Sequence, residues 1–333
     1  MAAVALLGAV TLAVAVGPAS IPLDATVRIL LSRLPGVEMA DSLPALWRDI
    51  IWEVRLPRVL LAGLPGAVLA MAGATYQGVF RNPLADPYLI GVATGAALGA
   101  TTVIVAGAPH SWHGLSVLPL AAFAGAIASV LVVYGVARQG NTLPTTTLIL
   151  AGVAVASLST AITSFLMLRS TTHMFSIFSV VLGSFNTATW GELRWAMPYV
   201  VPAAVVILAH GRILNVLSLD EEQARQLGVH PERAKLLLLG VASLATAAAV
   251  SIAGTIGFVG LIVPHAVRLL WGPDNRQLLP MSILFGATFL ILADLIARSV
   301  DQPSEVPVGI ITAFCGVPFF LYLLRRARLG AYW

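Results

Sequence analysis

The sequence predicts an all-α polytopic membrane protein of about ten transmembrane helices, on three observations. The chain of 333 residues is 58% hydrophobic and only 10% charged. Its mean hydropathy is +0.91. Its apolar runs reach spanning length and are divided by short polar or Pro/Gly turns. A soluble domain needs a charged skin that this composition does not supply. A bilayer, by contrast, is crossed by about 20 apolar residues per helix.

The spans are predicted at 3–23, 58–79, 88–107, 117–137, 144–168, 195–211, 235–254, 256–271, 278–298 and 306–324. They form one transmembrane domain over 1–333. The first is read as a span and not a secretory leader, because no Lys or Arg precedes its apolar core. Residues 172–185 are apolar but too short to cross. They read as a short helix at one membrane face.

Charge sets the orientation. With both termini in the cytosol, eleven of the 19 basic residues lie inside and eight outside. Five of the outer ones (Arg28, Arg33, Arg48, Arg55 and Arg58) crowd into the loop before the second span. The balance points to basic loops flanking spans and not to a nucleic-acid partner. Cys315 is the single cysteine, so neither an intrachain disulfide nor a cysteine-based metal site can form.

The sharpest break in the apolar pattern is FRNPLADPYLIG at 80–91. Proline fixes φ and removes a donor. Asn82 and Asp86 are suited to accept from neighbouring backbone N–H groups. The stretch therefore reads as an architectural turn that ends a helix at the cytosolic face. A faint internal echo links 73–92 to 253–270: each is rich in small residues and then meets a proline turn. On the predicted topology the two run in opposite senses, the pattern of an inverted repeat.

Chemistry is scarce. The chain has no G-x-x-x-x-G-K-[ST], and its only lysine, Lys235, precedes leucine, so it has no P-loop. H-E-x-x-H is absent too, and the six histidines sit mostly at loop edges. Within the spans the one notable acid is Asp294, four residues before Arg298, a spacing that pairs them on one helix face. So few intramembrane charges argue against an ion-coupled carrier. They also argue against a membrane-embedded enzyme. Energy then has to come from a partner. The longest polar segment, 217–235, starts with Asp220, Glu221 and Glu222, suits a short amphipathic cytosolic helix ending at Gly228, and is the natural place for that partner.

Several long segments, in order, carry a resemblance. They are RLPRVLLAGLPGAVLAMAG at 55–73, QGVFRNPLADPYLIGV at 77–92, DEEQARQLG at 220–228, GTIGFVGLIVPHAVRLL at 254–270, LADLIAR at 292–298 and EVPVGIITAFCGVPFF at 305–320. Over nearly its whole length the chain resembles the permease subunits of ABC importers for ferric siderophores, haem and cobalamin, the BtuC/FecCD-like family.

The resemblance implies a homodimer in the bacterial inner membrane. It implies two ATP-binding subunits and a periplasmic substrate-binding protein as partners, with membrane lipid around the spans. The chain itself is then a transport subunit and not an enzyme. No cofactor stays bound, ATP belongs to the partner, and a metal chelate is the substrate. Arg55, Arg58 and Arg298 match the family's binding-protein docking arginines. Asp220, Glu221, Ala224, Leu227 and Gly228 match its ATPase coupling helix. Leu143, Pro144, Thr145 and Thr146 fall at its cytoplasmic gate, although PTTT departs from the commoner Ser-rich pattern. The pathway runs between the two copies along the fifth and tenth spans. Arg169 would face its copy at the entrance, and a pair of arginines suits the two propionates of haem. His173 and Met174 nearby are residue types that ligate haem iron. Haem is thus the expected substrate, with ferric siderophores and cobalamin as alternatives.

Overall fold

The computed structural model describes residues 1–17, 19, 21–32, 43–109, 111–112, 115–140, 142–186, 188–219, 221–301 and 304–328. The chain begins with α1 (Ala2–Ala15), α2 (Leu23–Leu31) and α3 (Ala45–Asp49). A π-helical turn, Ile50–Arg55, joins α3 to α4 (Leu56–Phe80). Then come α5 (Val92–Val105), α6 (Val117–Ala137), α7 (Thr145–Arg169), α8 (Met174–Leu182) and α9 (Trp190–Ala209). The rest is α10 (Gly211–Leu217), α11 (Glu221–Gln226), α12 (Pro231–Ala253), α13 (Val259–Trp271), α14 (Asn275–Ala297) and α15 (Val308–Arg328).

Every predicted span is met by a helix. Among the described residues, six helical stretches are long and apolar enough to cross a membrane: 45–80, α6, α7, α9, α12 and α14. Four are shorter: α1, α5, α13 and the apolar part of α15. The expected short helix at 172–185 is α8, preceded by a 3-10 turn at Thr171–His173.

Burial ranks the helices. The apolar window of 45–80 is 83% buried and that of α12 is 72% buried, against 28% for α7 and for α9. So α4 and α12 form the centre, and α7 and α9 lie at the periphery. Lipid tails are as apolar as leucine, so helices here associate by close packing of small residues. A Cβ on Gly66 of α4 would lie 2.3 Å from the Gly286 carbonyl of α14, and one on Gly286 would lie 2.3 Å from the Gly66 carbonyl. Gly73 meets Gly260 of α13 still more closely, at 1.9 Å from its carbonyl. In the α5–α6 pair, a Cβ on Gly95 would lie 2.5 Å from the Gly125 carbonyl.

The short α5 and α13 each follow a break in the chain. At the first, Arg81 takes a left-handed conformation and ends α4. Asn82 Oδ1 accepts from Leu84 N at 2.9 Å, and Asp86 Oδ1 accepts from Tyr88 N at 2.8 Å. Both side chains do what the sequence predicts of them. The turn is no surface feature, however: Ala85, Pro87 and Ile90 are buried. The second break runs from Gly254 to Phe258, and both of these have positive φ. The two breaks meet. The Tyr88 hydroxyl donates to the Ile256 carbonyl and accepts from the Ile256 N–H, both at 3.0 Å. Around this bridge, Thr255 N donates to Val180 O at 3.1 Å, Ser184 N to Ala253 O at 3.1 Å, and Val308 N to Gly183 O at 3.0 Å. The C-terminal end of α8 thus closes the second break and receives the start of α15. The two segments of the faint internal echo are in direct contact.

Replacing Gly286 with valine should therefore prevent the α4–α14 approach. Overpacking of this kind costs about 1–3 kcal/mol or more. Thermal unfolding in detergent should show a clear loss for Gly286→Val. Gly135→Ala on α6, where nothing lies within 4 Å of the new Cβ, should leave the midpoint unchanged.

Candidate functional site

The candidate site has three parts: a charge cluster at the end that the sequence analysis expects to be outer, a peripheral face on α7 and α8, and the opposite end, expected to be inner, around α10 and α11. The outer cluster gathers at the start of α4, the end of α14 and the segment before α15. Arg58 Nη2 lies 2.8 Å from Asp294 Oδ1, and Arg58 Nη1 lies 2.9 Å from Glu305 Oε1. Arg58 Nε adds a bond to Asp294 Oδ2 at 3.2 Å, and Nη2 one to Glu305 Oε2 at 3.0 Å. The planar guanidinium fork thus grips two carboxylates. Asp294 also meets Arg298 across one helical turn, at 3.7 Å, as its spacing predicts.

The pattern RLPR and LADLIAR places Arg55, Arg58 and Arg298 together at the outer surface. The structure buries two of them within the chain. Arg55 is buried, and its guanidinium donates to the carbonyls of Val14 and Ala15 at 2.8 Å and to that of Ala19. These are carbonyls at and beyond the C-terminal end of α1, which lack helical partners. A Cβ on Gly17 would come within 2.9 Å of the same guanidinium, so the glycine makes room for it. Arg298 is buried as well and donates to Ala13 O. Arg58, with a side chain 15% exposed, and Glu305, at 30%, are the members nearest to solvent. Glu305 escapes the sequence reading. Its only signal is a lone acid at the head of the last apolar run.

Arg169, His173 and Met174 lie together where α7 passes into α8. Arg169 is exposed, and its guanidinium stacks over the Phe165 ring at 5.5 Å from the centroid. His173 is half-buried and precedes the first turn of α8. Met174 and Phe175 are exposed. Along α7, Leu150, Leu158, Phe165 and Leu168 are exposed on the same helix. An apolar cavity of about 590 Å³ opens nearby, lined by Val181, Leu182, Thr255, Phe258 and Phe314 among others. It adjoins α15, the tenth predicted span. Arg169, His173 and Met174 do not line it.

The gate candidates hang on α12. Leu143 N donates to Glu232 Oε2 at 3.2 Å, and Glu232 in turn faces Lys235 at 3.6 Å. Pro144 caps α7, Thr145 is half-buried and Thr146 is exposed. The coupling candidates form α11 and its cap. Gly228, at φ +81°, closes the helix: Gly228 N donates to Arg225 O at 3.0 Å and Val229 N to Ala224 O at 3.1 Å. Ala224 is buried within the chain, whereas Leu227 is 62% exposed. Glu221 begins α11, and Asp220 lies outside the described residues. One polar knot here is not evident from the sequence. Asn215 of α10 binds Asp274 and Asn275 at the head of α14. Asn215 and Arg276 N hold the Asp274 carboxyl below its ordinary range.

A membrane bundle with a buried charge lock at one end, two interlocked helix breaks and a short helix on a polar loop at the other fits a transport permease of the ABC-importer type, the class that the sequence resembles. The comparisons make the assignment specific: residues 5–326 match the FecCD transport family, and the chain belongs to it. It is 49% identical over 290 residues to the cobalamin import system permease protein BtuC of Halobacterium salinarum, covering 87% of this chain and 77% of that one. It is 41% identical over 289 residues to the hemin transport system permease protein HmuU of Yersinia pestis, covering 85% of each. A solved inward-facing structure of a metal-chelate-type ABC transporter superposes with a TM-score of 0.84 at 31% identity, over 98% of this chain and 97% of that one.

One outcome follows. Arg58→Met leaves Asp294, only 3% exposed at its side chain, without its closest partner. Breaking such a pair costs about 3–5 kcal/mol. Unfolding in mixed micelles should show that loss, while Arg169→Met should stay within about 0.5 kcal/mol of wild type.

Proposed function

We propose that this chain is the membrane subunit of an ATP-driven importer for a metal–tetrapyrrole chelate. Two copies pair in a bacterial inner membrane with termini in the cytoplasm. Two ATP-binding subunits seat on α11, and a binding protein delivers the chelate at the outer face. ATP binding draws the ATPases together and rocks the two copies between outward and inward openings.

One observation carries this reading: the weakly polar face of α7 and α8. Over residues 145–182 Arg169 is the only Asp, Glu, Lys or Arg. The apolar window of α7 is just 28% buried within the chain. Such a face can pair with its copy and let a bulky ligand slide without tight binding. The outer cluster supports the docking site, with Arg58 as the cation nearest to solvent. An incoming carboxylate would take the place of Glu305, the more exposed of the two carboxylates on the Arg58 fork. Arg298 backs the fork through Asp294, and Arg55 anchors the end of α1 beside it.

Among tetrapyrroles we place cobalamin first, because the relative named for it is 49% identical to this chain over 290 residues. Haem is the second reading, and Arg169 favours it. Two copies of this arginine facing each other would match two propionates, with His173 and Met174 close by.

The test is uptake into proteoliposomes holding the chain, its ATPase and its binding protein, with cyanocobalamin, haemin or a ferric siderophore. ATP-dependent cobalamin uptake that survives Arg169→Ala is expected. Haem uptake lost with Arg169→Ala would establish the second reading. Siderophore uptake alone would remove the tetrapyrrole. Uptake driven by an ion gradient without the ATPase would overturn the class.

A further inference from the structure

The outer charge cluster and the inner helix α11 lie at opposite ends of the molecule, and one packed pair of helices joins them. Helix α14 has 23 residues and is about 35 Å long. Its outer end carries Asp294, gripped by Arg58 and Arg298. Between the ends, α14 lies against α4 through Gly63, Gly66 and Gly286 with no side chain between the backbones at the glycine crossing. The pair therefore has little room to slide.

The inner end carries a second lock. Asn215 Nδ2 donates to Asp274 Oδ1 at 2.7 Å. Asn215 Oδ1 accepts from Asn275 N at 2.9 Å and from Asn275 Nδ2 at 2.8 Å. Asp274 also caps α14, accepting from Arg276 N at 2.9 Å. One amide on α10 thus engages both residues at the start of α14 through both its donor and its acceptor. Asn275 is buried, and so is Leu214, which a Cβ on Gly78 of α4 would meet at 3.1 Å. Three residues, 218–220, separate α10 from α11, and Ser218 Oγ donates back to Asn215 O at 2.6 Å.

From this geometry we infer that Asn215 is the positioning residue that couples the ATPase-facing helix α11 to the α4–α14 pair, and through that pair to the outer docking cluster. The inference rests on the importer reading above. Coupling between distant sites travels through rigid packed elements joined at specific contacts. Here the joint is a single amide whose geometry can be reversed by exchange. Asn215→Asp sets a carboxylate against Asp274 and breaks the joint. Asp274→Asn retains an acceptor for both Asn215 and Arg276 N. In the Asn215→Asp/Asp274→Asn pair the donor and acceptor trade places, and the joint re-forms with the new amide nitrogen where Asp274 Oδ1 lay, at the cost of the cap on Arg276 N, which that same oxygen accepts.

The experiment uses the whole reconstituted complex and measures basal ATPase, binding-protein-stimulated ATPase and thermal midpoint together. For Asn215→Asp, stimulation should fall about tenfold, a typical coupling size, with basal ATPase within about twofold of wild type. Asp274→Asn should stay near wild type, and the double exchange should restore stimulation. Normal stimulation in Asn215→Asp would overturn the inference. So would loss of stimulation that the exchange leaves uncorrected while the midpoint recovers. Should the single variant fail to assemble, hydrogen exchange on the wild-type complex decides. Binding-protein docking must then alter protection over 211–228, and unchanged protection overturns the inference. A wild-type chain that binds no ATPase would instead sink the importer reading itself, and this inference with it.

Discussion

A backbone N–H or C=O inside a bilayer has no water to bond with, so each must find a partner within the protein. This chain interrupts its helices twice and meets that constraint by setting the interruptions against each other. The hydroxyl of Tyr88, in the first break, serves both polar groups of Ile256 in the second. The end of α8 satisfies Thr255 and Val308 in the same place. Phe258 sits at φ +71°, a costly conformation for a residue with a side chain. It is held there because its ring fills the space over Gly316 of α15. Once the breaks are joined, α5 and α13 can be short, and α4, α12 and α14 are left as the continuous helices of the core.

Charge is used at the edges of this core and almost nowhere inside it. Arg55 closes the C-terminal end of α1, and Arg58 and Arg298 share Asp294. Removing these charges from water is expensive, and the cost is offset by the fork geometry and the number of carbonyl acceptors. At the other end the same task falls to neutral amides, Asn215 and Asn275, with one carboxylate. The α7–α8 face carries neither kind of lock. That contrast separates the parts of the molecule built to stay together from the face that the proposed function assigns to a second copy and a passing ligand.

Individual residues show how far the sequence can be read. Asn82 and Asp86 were legible as turn residues because an Asx side chain acts on backbone two positions away, a distance that sequence order specifies. Asp294 with Arg298 was legible because four residues are one helical turn. Gly228 was legible as a helix end for the same local reason. Arg55 was not: its partners are 36 to 41 positions away, and the π-helical turn before α4 shifts its facing relative to Arg58. Glu305 and Arg58 are 247 positions apart, and Asn215 and Asp274 are 59 apart. No periodicity links such residues.

By itself, then, the sequence determined the membrane setting, the order of the ten apolar segments, the short helices within 172–185 and 217–235, and the family. These follow from composition, from runs long enough to span, and from contacts within a turn or two. The tertiary structure alone decided which arginines face inward, that the two breaks meet, and which helix pair runs from the outer cluster to the inner knot. Those outcomes depend on which helices lie side by side. That choice is made by close packing of Gly66 on Gly286 and Gly73 on Gly260, contacts between residues far apart along the chain.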